Sequence, residues 1–599
     1  MFLSSLLIAA SLLAVETPDT LQAVNIVADK GFVVSRTDTV SVENNYSTLT
    51  EALLRLPGVA LSDFGGLSGL KSASLRGLGS AHTEIYLDGV RVSNFQSGQN
   101  DLGMLPLETL GSAVVDYAQN SLSFRTARPV FGTRPVAGNL RLQAGSFGTW
   151  LPAARIDVRA AERVSLSAHA AGVLTRGDFP LADGSTRRTG NDLKQMRAGI
   201  DVFGLLTGGE WQAKAYCNAS DRGTPGSLSW PSEDRQQDRN AILQGSLRKA
   251  FSKRYTLHVS AKGAYDRIGY QSAWGDSDYA FCDLQFNSSH NYHLTEHWSL
   301  SLATDLERGT LHASDYDAAR TAVIAALGGA FRAERFRADL ALEYRGAFDR
   351  GIPSLHSVSP SINLCFVISE GLELAGFARR AFRAPTFNEL YYPGYGNPDL
   401  KPEDAWLTDI GFAWNRSLGG FWHLDTKADL FYNVLTDKII SAPSEADPYQ
   451  WLPYNVGRVE AAGADALAAL RYNDGVLEGS FSARYAWQSA LDKTPGSTTF
   501  DSQIPYVARH TVTLTATAGM HGWHAEALWN RRGGRADAAG EMPAWHTLDL
   551  ALRKAFSLRG DCVLTLSASV RNLTDCRYEI VRDYPMPGRS VLGGLAFQF

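Results

Sequence analysis

Past its first fifteen positions the chain has no apolar run approaching the length of a transmembrane helix, which needs about 18 or more residues. With a mean hydropathy of -0.16, that absence excludes a helical membrane bundle. There is no excess of one charge either: 57 Lys+Arg face 62 Asp+Glu, so no broad basic surface is available to hold nucleic acid. Cysteine is scarce, and the five present follow neither a disulfide framework nor a metal-ligand spacing. With Pro at 23, Gly at 55 and aromatics at 10%, the composition is neither disordered nor collagen-like. No nucleophile elbow, phosphate loop or paired carboxylates occur in a context that supports catalysis, so the sequence does not point to an enzyme. What remains is a large soluble multidomain protein or a membrane protein that crosses without helices.

The amino terminus addresses the compartment. Residues 3–15 read LSSLLIAASLLAV and give way at once to polar ETPDT. That is the apolar region of a secretory leader, with cleavage expected near Ala14, although no Lys or Arg precedes it. The alternative is a buried helix opening a cytosolic domain. No Cys stands at the cleavage point, so a lipid anchor is not indicated.

From Pro135 onward the dominant signal is alternation with period two. In FRADLALEYR, Phe336, Ala338, Leu340, Leu342 and Tyr344 share one face, while Arg337, Asp339, Glu343 and Arg345 share the other. A sandwich would alternate as well, so the spacing of turns decides. Short connectors recur at 160–163, 207–210, 252–254, 295–297, 333–335, 369–371, 417–420, 473–475, 519–522 and 557–561. Between them lie two alternating segments and a longer polar stretch. Short turns at one end and long loops at the other is the asymmetry of a transmembrane barrel, here of about 22 strands. In lipid every backbone amide must be paired internally, and a closed barrel achieves this without an apolar helix. The last segment, SVLGGLAFQF, alternates and ends on Phe599, as a closing strand with an interfacial aromatic would.

Residues ahead of the barrel form a different object. Thr48-Leu49-Thr50-Glu51 has the pattern of a capping box, Leu49, Leu53 and Leu56 fall on one helical face, and Pro57-Gly58 stops the helix. Two extended runs follow at 71–76 and 83–92, the second broken by the turn dipeptide Asp88-Gly89. A small unit before so wide a barrel suggests a plug, because a barrel of this size otherwise encloses an open lumen.

These runs carry a resemblance. LTEALLRLPGV and SLRGLGSAHTEIYLDGVRV resemble the plug of TonB-dependent outer-membrane receptors. FRAPTFNELYYPGYGNPDLKPE at 382–403 resembles their mid-barrel signature, and IPYVARHTVTL at 504–514 and VRNLTDCRYE at 570–579 their late-barrel motifs. Within the family, residues 222–240, the 382–403 stretch and the short length lean toward cobalamin receptors of the Bacteroidetes type. One stretch departs: the usual YG…A.GG.I handover from plug to barrel reads YAQNSLSFRTARPVFGTRPVAGNLRLQAG here, which leaves the junction open.

The resemblance implies an all-β membrane protein, a 22-stranded antiparallel transmembrane β-barrel with a globular plug in its lumen, in the outer membrane of a Gram-negative bacterium. The expected division is a signal peptide at 1–15, a TonB-box tail at 16–30, a plug at 31–134 and a barrel at 135–599. The implied partners are outer-membrane lipids, the TonB protein of the TonB-ExbB-ExbD complex and a surface lipoprotein. TonB would engage Leu21, Gln22, Ala23, Val24, Asn25, Ile26 and Val27, whose alternation suits strand addition to a partner sheet; the alternative is a disordered mature terminus. In the plug, Arg76, Asp88, Gly89 and Arg91 stand in the motifs, and inward Asp339 and Glu343 are candidate partners for its arginines. Trp230, Tyr391, Tyr392, Tyr395, Trp451 and Tyr454 fall on the long-loop side and could stack on a large planar solute, or belong to an interfacial girdle.

Other candidates carry less. His290, His293 and His297 would share a helical face, but period two separates the first two. Asp276-Ser277-Asp278 and Asp315-Tyr316-Asp317 hint at loop calcium without the full spacing of a calcium loop, so no cofactor is expected beyond that. Three functions stand: energised cobalamin import, the same machine carrying a siderophore, haem or other nutrient, and a passive porin or surface adhesin.

Overall fold

The computed structural model describes residues 37–42, 48–56, 58–443, 450–537 and 539–599. The leader and the segment Leu21 to Val27 lie outside the described residues. Twenty-two antiparallel strands close into a barrel, as the turn count requires. It opens with Val136–Gly145 and ends with Ser590–Gln598, and those two strands pair from Leu592↔Gly145 to Gln598↔Asn139. Phe599 extends the seam by exchanging two backbone bonds with Gly138, at 2.8 and 3.1 Å. Its ring lies over Gly138, where any Cβ would collide with it. All ten short connectors fall between consecutive strands; that at 162–163, for example, joins Thr149–Ala161 to Val164–Thr175.

The alternation sorts lipid from lumen. In Phe336–Asp349, Leu340 and Leu342 are 57% and 54% exposed on the outer face, while Asp339 is fully buried inside. A row of aromatics, Trp298, Phe331, Phe336 and Phe366, runs across four neighbouring strands near the short-turn end, with consecutive rings 4.9 to 6.1 Å apart. Amphipathic rings belong at such an interface.

The polar stretches read as loops are a partial correction. Pro231–Ser252 and Trp422–Pro443 each run 22 residues, and Trp451–Asn473 runs 23. At about 3.4 Å per residue such strands reach well beyond a hydrocarbon core of about 30 Å. Residues 222–240 are therefore mostly ladder, with only 227–230 turning. Outside the membrane both strand faces are wet, so period two fades while the backbone continues to pair.

The amino-terminal unit sits inside the barrel. Its strands are β1 (Thr37–Ser41), β2 (Val59–Asp63), β3 (Lys71–Leu75), β4 (Glu84–Leu87), β5 (Val90–Arg91), β6 (Leu110–Asp116) and β7 (Ser121–Thr126). β1, β6, β7, β4 and β5 form one sheet in that order, with β4 and β7 parallel, and β2 pairs with β3. Helix α1 (Leu49–Leu53) is capped by Thr48, whose hydroxyl accepts the Glu51 amide. Leu53, Leu75, Leu122 and Phe124 are fully buried in its core. The Asp88-Gly89 turn has positive φ at both residues, 49° and 81°, as a two-residue hairpin turn requires. β7 and the first barrel strand, Val136–Gly145, occupy the stretch where the expected handover motif is missing, so the chain completes its plug sheet there with other residues.

Candidate functional site

Charged bonds tie the plug to the wall around the whole circumference. Arg76 follows β3 directly, with φ 48°, and is 4% exposed. Its Nη1 donates to Asp409 at 2.8 Å and its Nε to Asp465 at 3.1 Å, so one guanidinium joins two wall strands, Glu403–Gly419 and Trp451–Asn473. The same group lies 4.1 Å from the Tyr117 ring centroid and 4.6 Å from that of Phe431. Arg91 pairs with Glu307, and Lys262 donates to its carbonyl at 2.5 Å. Asp88 accepts from the amide and hydroxyl of Thr126, both at 2.7 Å, and faces Lys214 at 3.3 Å. Gly89 completes that turn. Further pairs are Glu51–Arg571 at 2.7 Å, Asp38–Lys427 and Asp101–Arg222, both at 2.9 Å, and Arg55–Glu526.

Asp339 and Glu343, the candidate partners from sequence, are not the acids that Arg76 and Arg91 meet among the described residues. Asp339 takes Arg332 at 2.6 Å, and Glu343 takes Arg345 at 2.5 Å and Arg379 at 3.5 Å. Those two cations link Glu343 to the plug: Arg345 donates to Glu84 at 2.7 Å, and Arg379 to Gln119 and the Ala118 carbonyl. Burial would raise the Glu84 carboxyl, but Arg345 and Arg91, with a 2.6 Å bond from Tyr86, hold it well below the usual carboxylate range.

At the loop end, the stretch at 382–403 docks the plug. Helix α2 (Phe387–Tyr391) carries a full capping box, Thr386 and Glu389. Its first amides, normally orphaned, donate to plug carbonyls: Phe387 to Phe95 at 2.7 Å and Asn388 to Gln96 at 3.0 Å. Beneath this contact lies a cavity of about 160 Å³ with His82, Phe95, Arg320, Arg345, Arg379 and Arg383 among its walls. Across the mouth a second cavity, of about 360 Å³, opens between plug residues 64–70 and the hairpin carrying Trp230. Phe64, Tyr270 and Tyr584 line it, with Phe64 edge-on to Tyr584 at 5.1 Å.

The six candidate aromatics do not converge. Trp230, 74% exposed, lines the larger cavity. Tyr391 packs on Phe387 and donates to Asp349 at 3.1 Å, Tyr392 meets Tyr316 edge-on, and Tyr395 is bonded to Ser441 at 2.6 Å. Trp451 and Tyr454 lie on a ladder above the membrane, paired with Pro443 and Ile440. Phe64, Tyr270 and Tyr584 were missed because they come from three distant segments that only barrel closure brings together. His290 is bonded to Tyr255 at 2.9 Å, and His297 to the Arg332 carbonyl at 2.8 Å. Asp278 holds Arg267 at 2.8 Å and Asp317 faces His312 at 3.0 Å. Among the described residues no three His, Cys, Asp or Glu side chains are grouped to hold a metal ion.

A barrel of this width, stoppered by an internally folded domain, defines a plugged transmembrane receptor or transporter. Residues 79–573 match the family described as TonB dependent receptor-like, beta-barrel. The chain belongs to the TonB-dependent receptor family, whose members are transporters and receptors. It is 25% identical over 582 residues to the vitamin B12 transporter BtuB of Vibrio vulnificus strain YJ016, covering 89% of this chain and 86% of that protein. To the BtuB of Vibrio cholerae strain M66-2 it is 20% identical over 585 residues, 92% and 90% of the two chains. Among solved structures, the copper transporter OprC superposes with a TM-score of 0.78 at 17% identity, covering 94% and 98%. The siderophore receptor PiuA of Acinetobacter baumannii gives 0.76 at 14%, covering 95% and 97%. At those identities the structures share the fold alone.

Proposed function

We propose that the protein imports cobalamin across the outer membrane, binding it at the loop end and admitting it when TonB displaces part of the plug. The observation that carries this reading is the similarity to vitamin B12 transporters along nearly the whole chain, plug and barrel together. The mouth supports it: the larger cavity combines plug residues with Trp230, Tyr270 and Tyr584, apolar rings suited to a large flat solute. On this reading the loop end faces outward, the short turns face the periplasm, and residues 31–134 act as the stopper. The segment Leu21 to Val27 receives the pull of the TonB-ExbB-ExbD complex, and a surface lipoprotein is a natural partner for the projecting ladders. A passive pore is disfavoured by the buried charges that hold the plug in place.

The test is a titration of purified protein with cyanocobalamin and, separately, with ferric siderophores. Saturable cyanocobalamin binding at micromolar concentration or tighter is expected. Binding of a siderophore alone would refute the reading.

A further inference from the structure

Two guanidiniums share one cavity, and one of them, Arg532, has no counter-charge among the described residues. Between β2 of the plug and the wall lies a space of about 60 Å³, lined by Gly58, Val59, Gln488, Thr511, Arg532 and Arg535 among others. No carboxylate belongs to its walls among the described residues. Arg532 ends the strand Trp523–Arg532. Its side chain makes no hydrogen bond or ion pair among the described residues, and Arg535 stands close enough to repel it. Arg535 is 8% exposed; its Nη2 donates to the carbonyls of Glu579 and Ile580, while its buried Nη1 has no acceptor.

The acids near Arg535, Glu579 and Asp537, offset its charge from a distance but make their hydrogen bonds elsewhere. Asp537 takes both donors of Arg582, at 2.5 and 2.8 Å, and Glu579 accepts the Asp583 amide at 2.9 Å. Two like charges facing one space repel each other, and the buried Nη1 of Arg535 lacks an acceptor, which is costly unless an anion supplies one. Of the other polar side chains on its walls, Gln488, Thr511 and Trp545 can donate, while the Tyr506 hydroxyl donates to Asp537 at 3.4 Å. The space holds about four to six water-sized volumes of ~10–15 Å³, which suits a group of five heavy atoms.

We propose that this cavity is an oxyanion site, in which Arg532 and Arg535 hold a phosphate-like group. Guanidinium forks match tetrahedral oxyanions through paired N–H donors. The group is either a phosphate ester on the imported solute or free inorganic phosphate. The first source rests on the import reading, whereas the second does not.

Inorganic phosphate, titrated at low ionic strength into wild type, Arg532→Gln and Arg532→Lys and followed by calorimetry, decides the matter. Arg532 makes no bond that folding depends on, so the variants keep the barrel; Arg535, which holds two carbonyls, is left in place. Wild type should bind phosphate, Arg532→Gln about tenfold more weakly, and Arg532→Lys in between. Displacement of phosphate by cyanocobalamin assigns the site to the solute's own anionic group, and simultaneous binding assigns it to a resident ion. Equal phosphate affinity in wild type and Arg532→Gln, or no binding to wild type at about 10 mM, overturns the site. Failure of cyanocobalamin to bind would sink the import reading and leave the phosphate comparison intact.

Discussion

Arg76 shows how much one side chain contributes to seating the plug. It bridges Asp409 and Asp465 and lies between two aromatic rings, so its removal leaves two buried carboxylates without the cation between them. Breaking a buried pair of this kind costs about 3–5 kcal/mol. Arg76→Met is therefore expected to lower hydrogen-exchange protection across β3, and Asp409→Asn with Asp465→Asn in the same chain to restore much of it. Loss of protection confined to the barrel strands would contradict this. Glu84 adds a pH dependence. Its folded carboxyl titrates below the ordinary value of 4.5, so its contribution is complete above that value and is lost as pH falls beneath it. Protection factors of β4 should fall on acidification below about 4.5 in wild type, and change little in Glu84→Gln. Arg76 and Arg91 were legible as plug cations, but their partners were not. Asp339 and Glu343 have the right charge and face, yet which acid meets which arginine depends on a closure spanning hundreds of residues.

Single elements were legible where one face meets lipid and the other the lumen. That contrast writes period two into the sequence, and it revealed the strands, the ten short turns and the closing strand. It fails where the environment is uniform. β6, LGSAVVD, is buried over most of its length, and the ladders above the membrane are wet on both faces, so neither alternates. The seam is the element most exposed to a single change. Gly138 lies in the stretch that departs from the handover motif, and its role is to leave room for the Phe599 ring. Overpacking of this sort costs about 1–3 kcal/mol. Gly138→Val should reduce the fraction of protein that migrates as folded barrel in unheated gels, and adding Phe599→Ala should recover it. A normal folded fraction in Gly138→Val alone would show that the ring is free to move aside.

Taken whole, the molecule is a tube whose stopper is bonded to walls on every side, from Arg197 and Lys214 early in the barrel to Glu526 and Arg571 late in it. Bonds spread around a circumference resist a uniform push better than a pull at one point, because a pull loads a few at a time. On the proposed import reading, the work of parting them arrives as a pull on the amino-terminal segment. Deleting residues 21–27 should then separate two functions that the barrel alone would keep together. Surface binding of cyanocobalamin should persist, since the loop-end cavities lie in the plug and wall, while cellular uptake should fall to background. Uptake undiminished by the deletion would mean that the solute passes without the pull, and that the plug's charged anchorage is loose enough to open on its own.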